Sequence, residues 1–118
     1  MRGDAPGRGE VWFIELEAAP PARGHEQAFS RPALVISADI LNRSRSQLTV
    51  ILPVTRSDLQ NPLHVPLKPP EGGLTADSFV LCDQVRSVSH LRLRRRLGEI
   101  TPATMHAVER ILRVVLEI

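Results

Sequence analysis

The side chains able to carry acid–base, nucleophilic or phosphate chemistry lie, in this 118-residue sequence, mostly where apolar runs begin and end. The four histidines, at positions 25, 64, 90 and 106, show none of the H-x-x-x-H or H-E-x-x-H spacing that brings two imidazoles to one metal. Cys82 is the only cysteine, so an intramolecular disulfide is impossible and a cysteine-rich zinc site lacks sulfur ligands. A lone cysteine of this kind reads as a buried core thiol. No metal site or cofactor is expected, and neither a P-loop nor a G-x-S-x-G elbow occurs. What remains is a polar constellation: Gly24-His25-Glu26-Gln27, Arg31-Pro32 opening one apolar run, and Thr55 closing another. Taken singly these are ordinary residues: Glu26 and Gln27 solvated, Arg31 on the surface, Thr55 a strand-end hydroxyl.

The charge balance is nearly even, 15 basic against 13 acidic residues for a net +2, so no large positive field is guaranteed. Its distribution is less even. Fourteen of the basic residues are Arg, Lys68 being the exception, and Arg86, Arg92, Arg94, Arg95 and Arg96 fall within eleven positions. Guanidinium forks match phosphate geometry better than ammonium groups do. A charge run is most often a solvated face, with nucleic-acid contact the sharper reading. The aromatics are Trp12, Phe13, Phe29 and Phe79, too few for a platform on which several bases stack.

These residues need elements to position them. At 42% hydrophobic and 24% charged, the composition is that of an ordinary folded domain with one core. Residues 1–8, with Gly3, Pro6 and Gly7, read as a flexible lead-in to a single domain over 9–118. No apolar run approaches the ~18 residues of a membrane helix, and the N-terminus lacks a signal-peptide apolar region. A cytoplasmic location is expected. Glu10–Glu17 (EVWFIELE) predicts a strand, 18–30 a long loop, 32–37 a second strand and 38–43 one helical turn. Strands follow at 47–54, with Pro53 near its end, at 63–67, a weak edge strand flanked by prolines, and at 77–85. The Arg-rich stretch and a short strand at 97–100 precede Thr101, an N-cap, and Pro102, which open a helix to about Glu117. Met105, Val108, Leu112, Val115 and Leu116 share one face of it, and Glu109 and Arg113 form an i,i+4 pair. With no helix able to connect parallel strands before residue 101, the expectation is mostly β with a C-terminal helix, a small, strongly bent barrel.

The order of motifs resembles the MazF/PemK/Kid family of toxin endoribonucleases. The matching pieces are Arg8-Gly9-Glu10-Val11-Trp12, Gly24-His25-Glu26-Gln27, Arg31-Pro32-Ala33-Leu34-Val35-Ile36-Ser37, Asn42, Pro53-Val54-Thr55, Gly72-Gly73-Leu74, Asp77-Ser78 and Leu81-Cys82-Asp83-Gln84-Val85-Arg86. They run from Arg8 to the C-terminal helix. G-x-E-Q alone is a weak signal; followed by R-P-A-L-V-I-S and a distant D-Q-V-R it is a strong one. The resemblance implies an SH3-like barrel of the CcdB/MazF toxin type and a homodimer. It further implies metal-independent, sequence-specific cleavage of single-stranded mRNA, and a cognate antitoxin.

The implied reaction is attack of a ribose 2′-OH on the adjacent phosphorus, leaving a 2′,3′-cyclic phosphate and a 5′-OH. Arg31 suits charge stabilisation, being a permanent bidentate donor and a poor proton shuttle. Thr55 can donate a hydroxyl hydrogen bond to a phosphate oxygen. The proton handlers are His25 or Glu26. In Kid-like members an Asp at the position of Asp83 is proposed as the base, preceded by an Arg two residues earlier; Leu81 stands there in this chain, so Asp83 is the lesser contributor. Gly24, Gln27, Arg56 and Arg86 complete the expected RNA-binding set. The alternative is a non-enzymatic toxin of the same fold that poisons DNA gyrase through its C-terminal helix, as CcdB-like toxins do; the Arg31 and Thr55 pattern counts against it.

Overall fold

Alternation of side chains along extended backbone decides how this chain layers itself. In β1 (Glu10–Glu17), Val11 points to one side of the sheet and Trp12, Ile14 and Leu16 to the other. The computed structural model describes residues 5–17 and 29–118. Further strands are β2 (Phe29–Val35), β3 (Leu48–Thr55), β4 (His64–Leu67), β5 (Ser78–Leu81), β6 (Arg86–Ser89) and β7 (Leu93–Glu99); the helices are α1 (Asp39–Asn42) and α2 (Pro102–Leu116). The seven strands make one antiparallel sheet in the order β4-β5-β3-β2-β1-β7, with β6 beside β3. It is bent and barrel-like but not closed, β4 and β7 being the two ends of the path.

β3 organises this arrangement. One edge pairs with β2 through Ile51–Pro53, while the other takes β6 along Leu48–Ile51 and then β5 at Val54 and Thr55. Two apolar clusters result. Val11, Leu34, Leu52, Val54 and Val80 face Met105 and Val108 of α2, and Ile14, Leu16, Ala33, Val35, Ile51 and Val88 form a smaller cluster with Trp12 and Leu93. Full burial of a side chain such as Val108 contributes about 1.5–3 kcal/mol, which is what seats α2 on the sheet.

The helix starts as its sequence dictates: Thr101 Oγ1 accepts from the Thr104 N–H, with Pro102 behind it. Glu71 adds a second cap, its carboxylate accepting from the Thr101 N–H at 3.0 Å and from the Thr101 hydroxyl at 3.2 Å. Burial works to raise the pKa of Glu71, but hydrogen bonds from Thr104 and Thr101 outweigh it and hold the group below its ordinary value. The apolar stripe buries Met105 and Val108 only; Leu112 and Val115 are half-buried and Leu116 is exposed. Glu109 is paired with Arg8, not with Arg113, because Arg8 reaches from the N-terminal stretch to both Glu109 and the Ile36 carbonyl. Gly73, at φ 71°, lies so close to β7 that a Cβ would stand 1.8 Å from the Leu97 carbonyl oxygen.

Several boundaries differ from expectation. β2 starts at Phe29 and ends at Val35, and β5 covers only Ser78–Leu81. A separate strand, β6, occupies RSVS, too short and polar to announce itself. The last strand runs from Leu93, not 97, because its arginines find carboxylates on β1 and its own end. Behind α1, a fully buried polar knot joins Ser37, Asn42 and Thr49: both hydroxyls donate to Asn42 Oδ1, Asn42 Nδ2 donates to the Ser37 carbonyl and the Val50 N–H donates to Ser37 Oγ. Each buried polar atom there has a partner, so the knot costs little and locks α1 to β3.

Candidate active site

The β2–β3 ladder runs Val35↔Ile51, Leu34↔Leu52, Ala33↔Pro53, and stops where Pro32 and Pro53 lack backbone donors. Continuing that register by two residues brings Arg31 opposite Thr55. Both are on one face. Arg31 pairs across β1 with buried Ile14 and so shares the side of Ala33 and Val35, while Thr55 shares the side of Ile51. Each is half-buried at the mouth of the smaller cluster. Thr55 Oγ1 accepts from the Ser57 N–H at 3.1 Å, an arrangement that leaves its O–H to be donated. A guanidinium and a hydroxyl thus lie on one face at neighbouring strand ends, groups suited to an anionic oxygen.

Arg56, next along, is exposed. Arg86 stands on the same face opposite Ile51, and its Nη2 donates to the Leu16 carbonyl at 3.1 Å, pinning the end of β1. Asp83 lies in the turn between β5 and β6, its Oδ1 3.1 Å from His64 Nε2. Gly24, His25, Glu26 and Gln27 lie outside the described residues. The structure therefore brings together Arg31, Thr55 and Arg86 on one face, with Asp83 at its margin. His64 is the polar residue that reading the sequence passed over. Its partner is nineteen positions away, and only the β4–β5 register, His64↔Leu81, brings them together.

The arginine run is occupied elsewhere. Arg94 binds the Glu15 carboxylate and Arg92 Nη1 donates to the Glu15 carbonyl at 3.2 Å. Arg96 meets Glu10 at 3.0 Å and Glu99 at 3.3 Å, and Arg95 stacks 5.9 Å over the Phe13 ring. Burial acts to raise the pKa of Glu10, yet hydrogen bonds from Trp12, the Gly7 N–H and Arg96 hold it below the ordinary carboxylate value. The run therefore stitches β7 to β1. Cys82 is no nucleophile: burial, aided by the Asp83 charge, pushes its thiol up to about 12. Among the described residues no group of three or more His, Cys, Asp and Glu could hold a metal, and no helix is long and apolar enough to cross a membrane.

Comparison with known proteins identifies the family. Residues 7–116 match the family model described as PemK-like, MazF-like toxin of type II toxin-antitoxin system. The chain is 32% identical over 116 residues to Endoribonuclease MazF9 of Mycobacterium tuberculosis, covering 94% of this chain and 96% of that one. It is 32% identical over 110 residues to Endoribonuclease EndoA of Bacillus subtilis, covering 91% and 90%. Among solved structures, MazE-MazF from Deinococcus radiodurans superposes with a TM-score of 0.80 at 29% identity, covering 97% of each chain. A mycobacterial endoribonuclease in complex with its cognate antitoxin does so with a TM-score of 0.74 at 28% identity, covering 98% and 96%. With the match spanning nearly every residue from Gly7 through α2, the chain belongs to the PemK-like, MazF-like family of type II toxin–antitoxin toxins.

Proposed function

We propose that this protein is the toxin of a type II toxin–antitoxin pair, a cytoplasmic endoribonuclease that cuts single-stranded mRNA at short sequence motifs. The observation that supports this reading is the β2–β3 register, which, extended two residues beyond Ala33↔Pro53, turns Arg31 and Thr55 to the same face. Arg31 binds the non-bridging oxygens of the scissile phosphate and Thr55 donates its hydroxyl to one of them. The 2′-oxygen attacks phosphorus as His25 or Glu26 takes its proton; the bond from phosphorus to the 5′-oxygen breaks, and that oxygen gains a proton. The products are a 2′,3′-cyclic phosphate and a 5′-OH, with no metal involved in the step. Asp83 is a secondary contributor, and Gly24, Gln27, Arg56 and Arg86 are the proposed RNA-binding residues. Curated relatives named endoribonucleases favour this reading over gyrase binding.

The protein works as a homodimer, with the exposed apolar side chains of Leu91, Val114, Leu116 and Ile118 available for isologous burial. Its antitoxin covers the same face with an acidic, apolar segment that folds on binding, its carboxylates taking the place of phosphates at Arg31. The test is digestion of a long RNA in excess EDTA, with 5′ ends mapped by sequencing and 3′ ends by mass spectrometry. Cutting at a short motif with cyclic-phosphate ends is expected. Intact RNA, 3′-OH ends, or activity lost in EDTA and restored by Mg²⁺ would overturn the mechanism.

A further inference from the structure

We propose that His64 is a positioning residue for Asp83, and that the carboxylate it holds reads the edge of a base beside the cleaved linkage. The proposal rests on the ribonuclease reading above. Strand register places the pair. Thr55, Phe79 and Pro66 form one row across β3, β5 and β4, and Leu81 and His64 form the next row on the same face. The intervening Val54, Val80 and Val65 point the other way, into the cluster under α2. Two residues along a strand is about 7 Å and two strand spacings about 10 Å, so His64 stands about 12 Å, roughly the span of two nucleotides, from Thr55 on the face that carries Arg31.

The hydrogen bonding is lopsided in an informative way. The imidazole is 4% exposed, its Nε2 lies 3.1 Å from Asp83 Oδ1, and its buried Nδ1 has no partner among the described residues. A proton on Nδ1 would be an unsatisfied buried donor, whereas a bare lone pair costs less, so the ring carries its proton on Nε2 and donates to Asp83. A buried ring using half its hydrogen-bonding capacity is a poor stabiliser. What it does is fix a carboxylate that sits in a turn and would otherwise rotate freely.

That carboxylate is 32% exposed, and among the described residues only Oδ1 has a protein partner. An acceptor-only anion repels phosphate, so beside a path that binds RNA through Arg31 it faces a base and not the backbone. It accepts from the exocyclic amino groups of cytosine, adenine or guanine, or from a ring N–H.

The experiment compares wild-type protein, Asp83→Asn, His64→Leu and His64→Gln on a randomised single-stranded RNA pool, reading the cleavage motif by sequencing and kcat/KM on the best site. Asp83→Asn should change the preferred base at one motif position and lower kcat/KM there roughly ten- to a hundredfold, the span of one good base contact. His64→Leu should relax preference at that same position, and His64→Gln, which keeps a donor near the Nε2 position, should restore it. An unchanged motif for Asp83→Asn, or a loss equal at every sequence, overturns the proposal; should His64→Leu fail to fold, Asp83→Asn and His64→Gln decide it. A wild-type protein that cuts no RNA would instead overturn the ribonuclease reading beneath it.

Discussion

The same strands build two unlike faces. On the side under α2, Val11, Leu34, Leu52, Val54 and Val80 are apolar, and the helix covers them. On the other side the apolar cluster fades toward Arg31 and Thr55, where no further helix among the described residues covers the sheet. A small domain has material for one covering layer, so polar residues collect where that layer is missing. The difference teaches that the helix supplies stability and leaves the opposite face for ligands.

Four perturbations test that division. Arg31→Ala should reduce RNA cleavage by ~10² or more while leaving the protein folded, since it removes a charge donor from the face opposite α2. Cleavage within about threefold of wild type would break the assignment. Leu52→Ala, on the covered face, should do the reverse: about 2–5 kcal/mol of stability lost by urea denaturation, with activity per folded molecule retained. A smaller effect belongs to Thr101→Ala, about 1 kcal/mol, because the helix loses its cap but keeps Glu71 at the Thr101 N–H.

The smallest effect is in pH. Glu10 and Glu71 both have folded pKa values below the ordinary 4.5, so their contribution is complete above 4.5 and disappears as pH falls through the lower folded values. The share of thermal stability that these two groups supply should therefore fall only below about pH 4.5, and Glu71→Gln should flatten part of that decline. A decline on the alkaline side assigned to these groups would have the wrong sign.

Much of this was legible in the residues. EVWFIELE alternates and is β1; Thr101-Pro102 opens α2 where its capping chemistry says it should. The bent, mostly β domain with a C-terminal helix follows from short strands and the absence of connecting helices, and Arg31 and Thr55 could be named before their register was known. Three things were not legible. The Arg92–Arg96 region read as a solvated face or a nucleic-acid contact, and not as a strand-to-strand clamp, because its carboxylate partners, Glu10 and Glu15, are some eighty residues away in sequence. RSVS lacks the apolar alternation of a strand and is one only because β3 offers it an edge. The His64–Asp83 pair depends on a cross-strand register that no local pattern encodes.

β3 has one more consequence. Ile51 is paired on both sides at once, with Val35 of β2 and Arg86 of β6, whereas β4 hangs on the sheet through β5 alone. Backbone amides near Ile51 are therefore shielded by a strand on each side, while those of β4 have one strand partner and are held in place by Val65 and Leu67 in the core under α2, so protection from deuterium exchange should be greatest along the middle of β3.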